Sequence, residues 1–431
     1  MHEDAQDTTR HHEEQRAISR RRLPGTAGAA GTAGLLAGAG GGTAAYAGAH
    51  HPAPLSSVGS SAVPFHGTHQ AGITTPAQAV GHLIAFDLAD DTGRKNAASL
   101  LRRWSTAAEA MTQGHPPAAH DDQIALDAGP SRLTVTFGLG RTFFGRTGLA
   151  HRAPAALVPV PRFPSDAIDP KRSDGDLWIQ IGADDPLVAW HALHTLQREA
   201  AGAAEVRWQM SGFNRAPGAT TQTKTVRNLM GQLDGTANPR PTDKDFTAKI
   251  FVPGGHSHGH GDEAWMTGGS YAVVRRIRIR IRMRLGHWAD LTRTEQEQVI
   301  GRRKDTGAPL SAPHDAPETT PMDLNKFTSH GSLAIPADAH IRVAAPESND
   351  GAAMLRRGFS YHDGYRAYGQ PDAGLLFIAW QADPAAFIEV QTKLDGADHL
   401  TRFIRHESSA VFAVPGGAAP GEYIGQSLLE D

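Results

Sequence analysis

The stretch DLWIQIGADDPLVAWHALHTLQRE, residues 176–199, decides how the fold is read. Residues 176–181, rich in β-branched and aromatic side chains, read as a strand. Asp185 and Pro186 then read as the N-cap and first turn of a helix over 187–199: a capping carboxylate accepts otherwise unpaired N–H groups, and proline has no N–H to lose there. Moving outward, residues 206–213 read as the closing strand. Upstream, a proline-rich stretch at 153–170 is too irregular to be an element. Before it, residues 132–140 alternate Leu133, Val135 and Phe137 with polar residues and read as a strand. Residues 96–111 form a helix that gathers Leu100, Leu101, Trp104, Ala108 and Met111 on one face, and 80–89 a first strand.

The order strand, helix, strand, strand, helix, strand is the split βαβ plan of ferredoxin-like domains. The second half repeats it without residue-level similarity. A strand is expected over 271–285, then a helix opened by the capping box of Thr292 and Glu295 and running to about Arg303. Strands follow near Phe359 and over 374–382, a helix begun by Asp383 and Pro384, and a last strand over 410–414. The predicted fold is α+β: tandem ferredoxin-like domains with antiparallel sheets, outer helices and a ligand cleft between layers.

The chain has 431 residues, 39% of them hydrophobic and 20% charged, enough to bury a full core. Its 42 basic and 45 acidic side chains leave a net charge of -3, which gives no global electrostatic case for nucleic acid. Cysteine is absent, so disulfides, thiolate catalysis, iron–sulfur clusters and thiolate-ligated haem are excluded. Ser19-Arg20-Arg21-Arg22-Leu23 precedes a Gly/Ala/Thr-rich run ending in small residues, the pattern of a twin-arginine export signal over 1–49. That address implies the export machinery as a partner and a place outside the cytoplasm, in the envelope or beyond. Residues 50–64 read as a linker, 65–225 as the first domain and 226–431 as the second. No other hydrophobic run reaches membrane length, so no membrane span is expected. The oligomeric state stays open.

Two stretches carry chemistry. In 332–361, Ala339-His340-Ile341-Arg342 is followed by Met354-Leu355-Arg356-Arg357-Gly358-Phe359. His340 reads either as a structural histidine or as a metal ligand beside a guanidinium that suits a charged oxygen species. In 228–239, Gly231, Gly235 and Pro239 allow tight backbone around Asp234, which reads as a plain turn residue or as a group carried into a ligand site. Elsewhere, His256, His258 and His260 alternate with small residues as a surface loop or a metal site. Arg276, Arg278, Arg280, Arg282 and Arg284 alternate along one strand, as a solvated face or a surface for an anionic partner.

Gly231-x-x-Asp234-Gly235-Thr236-Ala237-Asn238-Pro239, His340-Ile-Arg342, Leu355-Arg356-Arg357-Gly358 and Gly374-Leu375-Leu-Phe377 resemble, in this order, the signature blocks of dye-decolourising peroxidases. The likeness is to the secreted subgroup with twin-arginine signals and spans about 65–417. It implies two ferredoxin-like domains enclosing one haem b, hydrogen peroxide and an organic reductant as substrates, and a ferryl intermediate reduced in one-electron steps. It implies that His340 is the proximal iron ligand with Asp398 behind it, and that Asp234 and Arg356 are the catalytic acid–base and charge stabiliser. Gly235, Thr236 and Ala237 would contact haem, Leu375 and Phe377 would line it, and Arg302 and Arg342 are candidates for its propionates. Trp178, Trp190, Trp208, Trp265, Trp288, Trp380 and Tyr361 form the pool for electron transfer to the surface. Two residues depart from the pattern: Gln232 stands where relatives have an aromatic, and Phe359 where many have tyrosine. The rival readings are an exported haem-handling or iron-uptake protein, and a non-haem metal protein using the His256–His260 loop.

Overall fold

The computed structural model describes residues 57–117, 121–220, 225–254, 261–280 and 287–430; the stretch read as an export signal, the His256–His260 run, Arg282 and Arg284 lie outside them. Elements run β1 (Val80–Leu88), α1 (Arg94–Thr112), β2 (Thr134–Leu139), β3 (Leu177–Ala183), α2 (Pro186–Glu199) and β4 (Ala204–Phe213). They continue with β5 (Ser270–Ile279), α3 (Arg293–Ile300), α4 (His340–Val343), β6 (Leu355–Arg356), β7 (Phe359–Tyr365), β8 (Pro371–Gln381), α5 (Ala385–Ala397) and β9 (Ile404–Val414). All belong to one compact unit, Leu55–Asp431.

Local signals hold where side chains satisfy helix ends. The Asp185 carboxylate accepts from the N–H groups of Leu187 and Val188, and Thr292 and Glu295 form the reciprocal capping box of α3. The α3 helix stops at Gly301 rather than running to Arg303, because Gly301 takes a left-handed φ of 94° as its C-cap. Strand β9 begins at Ile404 rather than at 410, because it pairs with β5 along its whole length.

The principal departure from expectation is that two separate sheets do not form. The eight main strands make one antiparallel sheet in the order β5-β9-β2-β3-β1-β4-β7-β8, and β8 pairs back to β5, which closes it into a barrel. The seams join halves at Leu139 opposite Ala413 and at Phe213 opposite Ser360. Edge strands left open would expose rows of unpaired N–H and C=O groups, and closure removes those edges. The short β6 continues the line of β7 along β8.

Strand alternation sends one set of side chains inward and the other outward. Inward-facing residues form one cluster that includes Leu83, Trp178, Met210, Val274, Phe359, Tyr361, Trp380 and Phe412. Outward-facing residues such as Ile84, Phe137, Ile179 and Val411 pack against α1, α2 and α5. Arg276 corrects the reading of the arginine stripe as a solvated face. Its side chain is buried, lies 4.0 Å over the Tyr361 ring and pairs with Asp363, Asp372 and Glu407. An irregularity in the β5–β9 register leaves Glu407 unopposed, so that it also meets Arg278. Among the described residues, no helix is long and apolar enough to cross a membrane.

Two predictions follow from this packing. A Cβ on Gly212 would lie 2.6 Å from Phe359 Cβ and 2.8 Å from the Ser360 carbonyl, at the seam between halves. Gly212→Ala should therefore cost about 1–3 kcal/mol by overpacking, read as a lower urea midpoint. His82 is buried with Nδ1 2.8 Å from Ser211 Oγ, and burial pushes its imidazole down to about 4. The unfolded chain, titrating near 6.5, binds more protons between those values. Stability from neutral His82 is thus complete above pH 6.5 and lost as pH falls toward 4, by on the order of 3 kcal/mol. Urea titrations at pH 7 and pH 4.5 should show that loss in the wild type and a smaller one in His82→Gln.

Candidate functional site

A cleft opens on the outer side of the barrel between the β5, β8 and β9 strands and the α4 and α5 helices. Register explains its floor: Arg275 lies opposite Phe377, Ile277 opposite Leu375 and also opposite His406, and Ile279 opposite Ile404, all on one face. Phe387 and Leu394 of α5 and Ile341 of α4 close it with apolar surface.

His340 enters this cleft from the first residue of α4. Its position depends on Gly301, where a Cβ would lie 2.6 Å from Ile341 Cγ1, so the end of α3 packs directly behind the histidine's turn. His340 Nδ1 lies 2.7 Å from Asp398 Oδ2, a carboxylate whose side chain is only 2% exposed. Asp398 is itself fixed at the end of α5, its Oδ1 accepting from the Leu400 N–H at 2.8 Å. An Nδ1–H held by that acceptor leaves Nε2 as the basic nitrogen, the tautomer a metal requires.

The second constellation lies where the 228–237 loop meets β6. Arg356 Nη1 donates to Asp234 Oδ1 at 3.2 Å, and Asn228 Nδ2 approaches Asp234 Oδ2 at 3.4 Å. Gly235 adopts φ 117°, a conformation open to glycine, which turns the chain so that Thr236 and Ala237 also face the cleft. Asn238, whose role was not read from the sequence, grips the backbone of Arg356 in both directions. Its Nδ2 donates to the Arg356 carbonyl at 2.7 Å and its Oδ1 accepts from the Arg356 N–H at 3.2 Å. The fixed spacing of Asp234 and Asn238 in one loop was the signal available. A second cleft shares Asn228, Asp234, Gly235, Arg356, Leu375 and Phe377 and reaches Thr75, Asn214 and Glu318.

The remaining candidates divide. Arg302 lines the cleft and is 4% exposed, its Nη1 donating to the carbonyls of Gly307 and Glu318, while its Nε has no partner among the described residues. Burial, with the charge of Arg356 adding to it, lowers the guanidinium to about 10. Arg342 is not brought to the cleft wall. Its guanidinium is spent on the carbonyls of Leu324, Ile335 and Pro336, bracing the loop before α4. Gln232 does line the cleft, buried, with its Nε2 unpartnered among the described residues. Phe359 instead points into the barrel, where its ring fills the space over Gly81. Of the aromatic pool, Trp178, Trp208, Trp265, Trp288, Trp380 and Tyr361 are buried and Trp190 is exposed.

A carboxylate-backed imidazole, an Asp–Arg pair and a buried guanidinium with an N–H left unpartnered among the described residues share one apolar-walled cleft, a site suited to a large, mainly apolar ligand with anionic substituents. Comparison with known proteins specifies it. Family models described as "Dyp-type peroxidase, N-terminal" and "Dyp-type peroxidase, C-terminal" match residues 70–214 and 225–419. The dye-decolorizing peroxidase of Thermobifida fusca is 46% identical over 373 residues, 84% of each chain. A deferrochelatase of Yersinia pseudotuberculosis is 37% identical over 85% of each. Among solved structures, a DyP-type peroxidase from Streptomyces coelicolor and ferric DtpA from Streptomyces lividans are each 59% identical. Each superposes with a TM-score of 0.83 over 88% of this chain and 100% of theirs. The chain belongs to the DyP-type peroxidase family, and its activity is that of a peroxidase.

The Asn238 clamp gives a prediction. Asn238→Ala should remove both hydrogen bonds to Arg356, lower stability by about 1–3 kcal/mol and reduce kcat/KM for hydrogen peroxide about ten-fold or more. Steady-state kinetics beside thermal unfolding would check both.

Proposed function

We propose that the cleft holds haem b with His340 Nε2 as the protein's iron ligand and that Asp234 and Arg356 carry the peroxide chemistry. The donor set supports this: an imidazole with its other nitrogen engaged, apolar walls of Ile277, Leu375, Phe377 and Leu394, and the Nε of Arg302, without a partner among the described residues, for a propionate. Bound haem supplies the redox centre for reducing hydrogen peroxide and oxidising organic reductants such as dyes and phenolics one electron at a time. Asp398 accepts the Nδ1–H of His340 and makes the imidazole a stronger donor. Asp234 takes a proton from the near oxygen of hydrogen peroxide and returns it to the far oxygen, which leaves as water. Arg356 stays charged and stabilises the negative charge that grows on the departing oxygen. Asn228 holds the Asp234 carboxylate and Asn238 holds the Arg356 backbone.

The observation that carries the reading is the Asp234–Arg356 pair on the same cleft as the Asp398–His340 pair. A haem carrier needs the ligand but neither an acid–base group nor a charge stabiliser. The relatives named deferrochelatase favour a second reading, haem handling with release of iron. We further read residues 1–49 as a twin-arginine signal that sends the protein out of the cytoplasm through that export machinery, on the arginine run and the small-residue stretch after it. We read the barrel as two ferredoxin-like domains, 65–225 and 226–431. The reading is supported by the within-half strand orders β2-β3-β1-β4 and β7-β8-β5-β9, each a four-stranded antiparallel arrangement of that plan.

Asp234→Ala and Arg356→Leu should each lower kcat/KM for hydrogen peroxide by about 100-fold or more with the Soret band kept. His340→Ala should lose the band. Unchanged turnover in both cleft variants, with iron-free porphyrin accumulating from added haem, would turn the assignment to the second reading.

A further inference from the structure

A second group of ligating side chains lies apart from the cleft, where the connection between α1 and β2 meets α2. His191 Nε2 lies 2.6 Å from Asp121 Oδ1 and 3.5 Å from Asp122 Oδ1. One ligand atom from each of the three residues falls within 4.8 Å of the others. His194, one helical turn after His191, places Nδ1 2.8 Å from the other Asp122 oxygen, Oδ2. Its ring stacks on Trp190 at 4.8 Å, which fixes its direction. His191 is nearly buried, with 6% of its side chain exposed, while Asp121 and Asp122 keep 15% and 17%. None of these residues lines the haem cleft.

Asp121 and Asp122 share His191 Nε2, and Asp122 also accepts from the Ile124 N–H and meets His194 Nδ1, yet among the described residues no lysine or arginine pairs with either carboxylate. An added cation would meet that negative charge directly. Imidazole with carboxylate is the donor set of a borderline divalent ion, and three protein ligands leave a position for water.

We propose that Asp121, Asp122 and His191 form a binding site for a divalent transition ion of the zinc type, with His194 as the positioning residue that orients Asp122. The ion takes the place of the proton on His191 Nε2, which is released to solvent, and the carboxylates move from hydrogen-bond distance to the nitrogen onto the ion. The site would staple the connection before β2 to the surface of α2.

Titration of chelator-treated, haem-loaded full-length protein with zinc chloride in a calorimeter tests it. One equivalent should bind and raise the thermal midpoint. Asp121→Asn and Asp122→Asn, which keep side-chain shape, should each weaken binding about ten-fold or more, with Soret band and peroxidase turnover unchanged. Retention of the Soret band reports folding, and either variant alone suffices if the other misfolds. Because His256, His258 and His260 offer a competing set, the triple variant of those residues to alanine should still bind one equivalent at this site. The proposal is overturned if no zinc binds, if both aspartate variants bind as the wild type does, or if the triple variant binds none.

Discussion

Everything in this molecule depends on closing a sheet through two narrow seams. The β2–β9 and β4–β7 joins are each registered at a single residue pair, far less than the long ladders within each half. What makes so short a seam hold is the inward side: Phe359 fills the space that Gly81 and Gly212 leave by lacking a Cβ, so one ring packs on both halves at once. Closing the sheet leaves the outer faces of β5, β8 and β9 free of further strands and available as the floor of a cleft.

The strand period then sorts the chemistry residue by residue. Arg356 and Arg357 are adjacent and chemically identical, yet the backbone of β6 and the residue after it, whose N–H still bonds the Ile378 carbonyl, turns them to opposite faces. Arg356 meets Asp234 outside, whereas Arg357 is buried, donates from Nε to the Thr75 carbonyl at 2.7 Å and lies over Phe359 at 5.7 Å. Burial lowers Arg357 to about 10, so the fold holds a cation in a poorly solvated place in order to brace the loop before β1. A slip of one residue in β6 would exchange the two guanidinia.

That comparison shows what a sequence can and cannot disclose. Helix starts at Asp185 and Thr292 were legible because a cap is local, and the order of elements followed from periodicity. The barrel was not legible, since an edge strand carries no mark of which distant edge it will meet. Nor was Arg276, whose alternation with isoleucines looks solvated until Asp363, Asp372 and Glu407 arrive from three other positions. At the site, Asp234, Arg356, His340 and Asp398 stood out through motif blocks, and the structure brings them to one cleft. Arg342 had the same warrant and is turned away, because unpaired carbonyls at 324, 335 and 336 claim its donors. Asn238 was hidden because its partner is backbone, which every residue has.

The aromatic interior of the barrel has a consequence for where oxidising power can travel. The indole N–H groups of Trp178 and Trp380 and the hydroxyl of Tyr361 are buried without an acceptor among the described residues, and the Arg276 guanidinium lies over Tyr361. An aromatic that loses an electron becomes strongly acidic. With no acceptor in hydrogen-bond reach among the described residues, these rings have no ready path for losing a proton together with an electron. The core that holds the two halves together is thus poor in the proton acceptors that a neutral aromatic radical needs.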